Sequence, residues 1–326
     1  MNKIGIMGSC AFGTALAATF AKANNDVTLW GRNSDCIKEI NSKNINNRYL
    51  PGIKLPKSIF ATSNFNDLKN LDVLLMVTPA QYLRETLKNF NIKSLNCPLV
   101  VCSKGIEKST GKLQSEIIRE VIGNTQCAAL SGPGFAVELA MGMPTALTLA
   151  AEDKKLGVSL QSIISTESLR LYLSNDLHGV QLGGALKNIF AIASGIVVGS
   201  NLGESARAAV ITRGFTELSR LAYSMGGKLD TLSGLSGFGD LTLSCTSQTS
   251  RNFSYGQQLA QAGNLQPGQT VEGIDTALIT LKFAEKHKIE MPIASQVALV
   301  LSGKTTVDIA LRELMKRPLK DENIRY

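Results

Sequence analysis

Lys3-Ile4-Gly5-Ile6-Met7-Gly8-Ser9-Cys10-Ala11-Phe12-Gly13-Thr14-Ala15-Leu16 is the stretch that decides the fold. Lys3–Met7 reads as a short apolar strand, and Gly13–Ala23 reads as a helix. The turn between them has glycine at the first and sixth positions of the spacing G-x-G-x-x-G. The first glycine makes the turn and the sixth lets helix pack on strand. The third normally lets the backbone approach a pyrophosphate, and Cys10 stands there instead. The expected ligand is therefore a dinucleotide. Gly8, Cys10, Ala11, Phe12 and Gly13 are its candidate contacts, mainly through the N–H groups of Ala11, Phe12 and Gly13. The Cys10 sulfur is expected to face the phosphates.

Outward from this stretch the alternation continues. Further strands are expected at Asp26–Trp30, Asp72–Val77, Leu99–Cys102, Ala128–Leu130, Ala146–Ala150 and Leu169–Leu173. Several are apolar without alternation, as when both faces of a parallel sheet are covered. Helices fit Pro79–Asn89, Lys112–Val121 and Lys154–Ile164, with Thr78-Pro79 reading as an N-cap and first helical residue. After His178 strand signals nearly vanish. Helical spacing then dominates Val180–Val198, Ser205–Met225, Arg251–Ala262, Gly273–His287 and Thr305–Met315. The expected fold is α/β, a Rossmann-like, doubly wound, mostly parallel sheet followed by an all-helical domain. Residues 1–180 form the dinucleotide-binding domain and residues 181–326 the helical, substrate-binding one.

The end of the second strand reads Leu29-Trp30-Gly31-Arg32-Asn33. An Asp or Glu there would bond a ribose 2′-hydroxyl. The Arg32 guanidinium suits a 2′-phosphate, which favours NADPH over NADH while leaving NAD possible. The net charge of +8 is spread over both halves, which points to small anions rather than nucleic acid. The uncharged apolar run Asn188–Gly203 is shorter than the roughly 20 residues a bilayer crossing needs, so no membrane insertion is expected. With only His178 and His287, and six scattered cysteines lacking CxxC spacing, no metal site is expected. No export signal opens the chain, and free thiols then argue for the cytoplasm.

Four more segments carry chemistry. Cys102-Ser103-Lys104-Gly105 and Ser131-Gly132-Pro133-Gly134-Phe135-Ala136 sit at strand ends, where open α/β sheets bind ligands. Gln181-Leu182-Gly183-Gly184-Ala185-Leu186-Lys187-Asn188 sets a lysine in an apolar helix. A buried ammonium must reach water, pair with an acid, or work with a lowered pKa. Gly237-Phe238-Gly239-Asp240 and Ser250-Arg251-Asn252 supply an acid in a glycine turn and an arginine at a helix start.

Together these strings resemble the bacterial-type NAD(P)-dependent glycerol-3-phosphate dehydrogenases over nearly the whole chain. Val271-Glu272-Gly273 adds to the match. The resemblance implies hydride transfer between NADPH and dihydroxyacetone phosphate, giving sn-glycerol 3-phosphate for phospholipid synthesis. It implies that Lys187 is the general acid/base at the C2 oxygen, with Asp240 as its partner. Lys104, Gly132 and Gly134 would meet substrate, Lys104 lying close to the cofactor as well. Ser250, Arg251 and Asn252 would grip the phosphate. Arg32, Ala136, Arg251, Val271 and Glu272 would touch the cofactor. Cys10, Ala11 and Gly134 depart from the family pattern, where glycine, serine and a hydroxyl residue are usual. A homodimer is expected, both from the resemblance and from the small and apolar residues on the long helices. Two other readings stay open: a related two-domain NADP-dependent hydroxy-acid dehydrogenase, and a non-catalytic NADPH-sensing protein.

Overall fold

The computed structural model describes residues 1–262 and 271–319. The chain divides into two compact units. The first holds residues 1–103 and 112–177; the second holds residues 104–111 and everything from His178 onward. A short piece of the amino-terminal half, carrying Lys104, thus folds with the carboxy-terminal half.

The first unit runs β1 (Lys3–Met7), α1 (Ala11–Lys22), β2 (Asp26–Trp30), α2 (Ser34–Lys43), β3 (Ile45–Asn46), β4 (Leu50–Lys54), β5 (Ile59–Thr62) and β6 (Val73–Met76). It continues with α3 (Leu83–Asn89), β7 (Leu99–Val101), α4 (Gln114–Ile122), β8 (Cys127–Ser131), α5 (Ala136–Met141), β9 (Thr145–Ala151), α6 (Lys154–Ile164) and β10 (Leu169–Ser174). Eight strands make one sheet in the order β10-β9-β8-β7-β6-β1-β2-β5, and β3 and β4 form a separate antiparallel ribbon. Every neighbouring pair in the large sheet is parallel except β8 with β9. The sheet is therefore mostly parallel, as the apolar strands imply. Every residue of β6, β7 and β8 is buried, so these strands carry no polar face. The chain leaves β1 toward β2 on one side and reaches β6 on the other. That reversal sets the carboxyl ends of β1 and β6 side by side, the usual ligand position in such sheets.

Several details differ from the sequence reading. Thr78 does not cap a helix: its hydroxyl has no hydrogen-bond partner, and Pro79 is extended at ψ 145°. A single 3-10 turn, Ala80–Tyr82, follows before α3 begins. The helix α2 and the strand β5 were not anticipated, and neither was the ribbon. Asn33 accepts from Cys36 N at 2.8 Å to start α2, and Asn44 ends it in the left-handed region at φ 55°.

The second unit is helical: α7 (Leu177–Gly199), α8 (Glu204–Ser224), α9 (Leu229–Ser233), α10 (Asp240–Thr246), α11 (Arg251–Ala262), α12 (Glu272–His287), α13 (Pro292–Leu301) and α14 (Val307–Met315). A π-helical turn, Leu235–Gly239, leads into α10. At 23 residues α7 is long and apolar enough to cross a membrane, yet 89% of its most apolar 18-residue window is buried within protein. It serves as a core helix. Its path against α11 depends on Gly195 and Gly256: a Cβ on either would lie 2.0–2.1 Å from a carbonyl oxygen of the other helix. That backbone approach fixes Ser250–Asn252, at the start of α11, relative to Lys187 on α7.

Candidate active site

In the first unit, the loop after β1 is shaped by two glycines. Gly8 has φ +129°, and a Cβ there would press on Val77 O at 2.8 Å. A Cβ on Gly13 would fall 1.9 Å from Gly8 O. The first backbone bond into α1 is donated by Thr14 N to Cys10 O at 2.9 Å, and no side chain caps the helix. The N–H groups of Ala11, Phe12 and Gly13 thus precede the helix's own hydrogen bonds and suit an anion. Cys10 is extended (φ −68°, ψ 177°), a backbone any residue adopts. Its thiol donates to Val77 O at 3.4 Å. The sulfur therefore bonds just past the end of β6, beside the carboxyl end of β1. The residues present fit a dinucleotide. Arg32 lies exposed just past β2. Gly132 and Gly134 follow β8, and Ala136 opens α5.

The second unit gathers the charged residues. Asp240, the first residue of α10, is 1% exposed and holds two ammonium groups. Lys187 Nζ donates to its Oδ1 at 2.8 Å, and Lys104 Nζ to its Oδ2 at 2.7 Å. Lys187 also donates to Ser244 Oγ at 2.5 Å, and Ser244 Oγ donates to Asp240 Oδ1 at 3.4 Å. The Lys104 side chain is 18% exposed against 8% for Lys187, so the pair presents one partly open and one closed cation.

Burial pushes the Lys187 ammonium below its ordinary pKa of 10.5; Asp240 opposes the shift and Lys104 adds to it. Burial alone would raise the Asp240 carboxyl, but Lys104 and Lys187 outweigh it and hold the group ionised, below its usual range. The result is a lysine whose proton is held less tightly than that of a free ammonium, fixed in direction by an ionised carboxylate.

Asn188, next to Lys187, extends the array. Its Nδ2 donates to Lys104 O at 3.2 Å, and its Oδ1 accepts from Asn252 Nδ2 at 2.9 Å. Asn252 Oδ1 in turn accepts from Gly273 N at 3.0 Å. Lys104, Lys187, Asp240 and Asn252 are thereby tied into one polar network, and Val271 and Glu272 immediately precede Gly273. Half of the Asn252 amide, one N–H and one acceptor position, is engaged inside the protein. Ser250 is buried, with Oγ accepting from Phe253 N at 3.4 Å, while Arg251 is exposed at the start of α11. The glycine loop, Arg32, Gly132, Gly134 and Ala136 belong to the other unit.

Sequence reasoning gave Ser244 no role and left Asn188 as part of a string. The signal for Ser244 was its i, i+4 spacing from Asp240, which puts both on one helix face. Among the described residues no cluster of His, Cys, Asp and Glu could hold a metal.

The chain matches two family models, the NAD-dependent glycerol-3-phosphate dehydrogenase N-terminus over residues 3–157 and its C-terminus over residues 176–312. It is 44% identical over 327 residues to a glycerol-3-phosphate dehydrogenase [NAD(P)+] of Parvibaculum lavamentivorans, covering 98% of each chain. A Mesorhizobium japonicum protein of the same name is 46% identical, over 98% of this chain and 94% of its own. Among solved structures, glycerol-3-phosphate dehydrogenase from Coxiella burnetii superposes with a TM-score of 0.90 at 35% identity, covering 97% of this chain and 99% of that one. With both family models matched in order and the relatives aligned from end to end, the chain belongs to the NAD-dependent glycerol-3-phosphate dehydrogenase family.

Proposed function

We propose that this protein interconverts dihydroxyacetone phosphate and sn-glycerol 3-phosphate, in the service of phospholipid synthesis, with Lys187 as general acid and base. One observation carries the reading: a buried lysine bonded at once to a carboxylate and a hydroxyl, with a second lysine on the carboxylate's other oxygen. When bound, the nicotinamide supplies or accepts the hydride at substrate carbon 2. Lys187 holds the proton destined for the C2 oxygen and stabilises the negative charge that grows there. Asp240 and Ser244 fix the direction of that N–H bond. Lys104 carries a second positive charge to the same carbon's surroundings. Arg251, at the helix start with Ser250 and the free N–H of Asn252, offers the phosphate a cation and helix N–H groups. Gly132 and Gly134 add substrate contacts. Gly8 to Gly13 receive the pyrophosphate on backbone N–H groups, and Ala136, Val271 and Glu272 complete the cofactor contacts.

Arg32 supports a preference for NADPH over NADH, since an exposed guanidinium past β2 suits a 2′-phosphate. The test is oxidation of each cofactor followed at its absorbance, with dihydroxyacetone phosphate and with unphosphorylated dihydroxyacetone. The reading expects turnover with the phosphate ester, faster with NADPH at low cofactor, and little with the plain triose. No turnover with either cofactor would remove the assignment.

We also infer a homodimer in a reducing, cytoplasmic setting. All six cysteines are free thiols, which fits that compartment. The amino half of α8, residues 204–213, has no buried residue although it carries Ala206, Ala208, Ala209, Val210 and Ile211. Such a helix half suits a second copy of the chain.

A further inference from the structure

The short ribbon of β3 and β4 stands apart from the main sheet, yet it carries a fully buried polar side chain. Asn46 in β3 is 0% exposed, and its amide makes hydrogen bonds on every side. Nδ2 donates to Ser9 O at 3.1 Å and to Thr14 Oγ1 at 2.7 Å. Oδ1 accepts from Cys36 Sγ at 3.3 Å and from Tyr49 N at 3.3 Å. Thr14 Oγ1 itself donates to Ser9 O at 3.3 Å, closing a ring of three groups around one carbonyl. An amide offers two donors and two acceptor sites, so Asn46 is fully used.

Ser9 lies between Gly8 and Cys10, within the loop whose N–H groups serve the pyrophosphate. A peptide carbonyl carries partial negative charge, and one turned toward an anion opposes its binding. Here two donors from the buried side claim the Ser9 oxygen. The peptide plane is thereby set, and with it the direction of the next N–H groups. The Gly8–Gly13 loop has glycine only at its ends, so backbone freedom must be restrained from outside. Asn46 supplies that restraint from α2, through Cys36, and from the β3–β4 turn, through Tyr49.

We infer that Asn46, acting with Thr14, is a positioning residue for the dinucleotide loop, holding the Ser9 carbonyl inward so that the loop's N–H groups face the cofactor phosphates. This rests on the nucleotide reading above and adds to it a residue outside the loop, the Rossmann sheet and the charged cluster. The role is to orient the loop, so its loss is expected in cofactor affinity rather than in chemistry.

The experiment measures the NADPH dissociation constant by nucleotide fluorescence, with kcat at saturating NADPH, the KM for dihydroxyacetone phosphate and the thermal midpoint. The full-length wild type is compared with Asn46→Leu, Thr14→Val and Thr14→Ser. Loss of one or two hydrogen bonds to the loop predicts an NADPH dissociation constant about tenfold higher in Asn46→Leu and Thr14→Val. Substrate KM and saturated kcat stay within about twofold, and Thr14→Ser, which keeps the hydroxyl, binds as the wild type does. A purely structural role would lower the thermal midpoint and leave NADPH affinity in place, and that result in Asn46→Leu overturns the inference. Should Asn46→Leu fail to fold, Thr14→Val decides: wild-type affinity there overturns it equally. A wild type that does not bind NADPH would sink the nucleotide reading itself.

Discussion

A lysine in an apolar helix is a liability unless something holds its charge, and residue 187 shows how the liability becomes chemistry. Water is excluded from its ammonium, so the charged form costs more and the pKa falls. Asp240 opposes the fall, and Lys104 and Lys187 keep that acid ionised. The sign of the pH dependence follows. In the proposed mechanism reduction uses the protonated amine, so kcat for reduction is expected to fall as pH rises through the lowered Lys187 pKa. Oxidation uses the neutral amine, so it gains over the same interval. Lys187 and its partnership with an acid were legible because an isolated lysine in Leu-Gly-Gly-Ala-Leu-Lys-Asn demands a partner. The identity of that partner came from resemblance, since 53 residues separate Lys187 from Asp240 and spacing says nothing at that range.

At the scale of elements, a second buried acid does structural work. Glu217 on α8 accepts from Ile293 N at 2.8 Å and Ala294 N at 3.1 Å, the first turn of α13 behind Pro292. Burial pushes its carboxyl from 4.5 up to about 7, against the pull of those two N–H groups. The folded chain then holds a proton that the unfolded chain releases between these values. Its contribution is full at low pH and is lost as pH rises through about 7, by on the order of a few kcal/mol. Denaturant unfolding at pH 5 and pH 8 checks this. Glu217→Gln is expected to remove that component of the pH dependence, so the variant's stability relative to wild type improves as pH rises; a constant difference would refute it. The helix α13 was missed in the sequence although Pro292 marks its start. The ribbon was missed because β3 is two residues long, too short for any periodicity.

For the whole molecule, the alternation of apolar runs and helices was enough to give a mostly parallel sheet followed by helices. What it could not give was the antiparallel pairing of β8 with β9, because a strand buried on both faces reads the same in either direction. Nor could it give residues 104–111 to the helical unit, since those residues lie in sequence between two elements of the sheet. The proposed homodimer belongs to this scale, and sedimentation velocity at micromolar concentration tests it: a dimer is expected for the wild type, with dissociation on Ala209→Glu, and a monomeric wild type would refute it. The central claim, that Lys187 moves the proton, is tested most directly by the kcat of Lys187→Met at saturating dihydroxyacetone phosphate and NADPH. Methionine keeps the volume, and Asp240 keeps Lys104. The account predicts a fall of about 10²–10⁴-fold with NADPH affinity retained and the alkaline fall in reduction abolished. A variant within about threefold of wild-type kcat, with an unchanged pH profile, would contradict it.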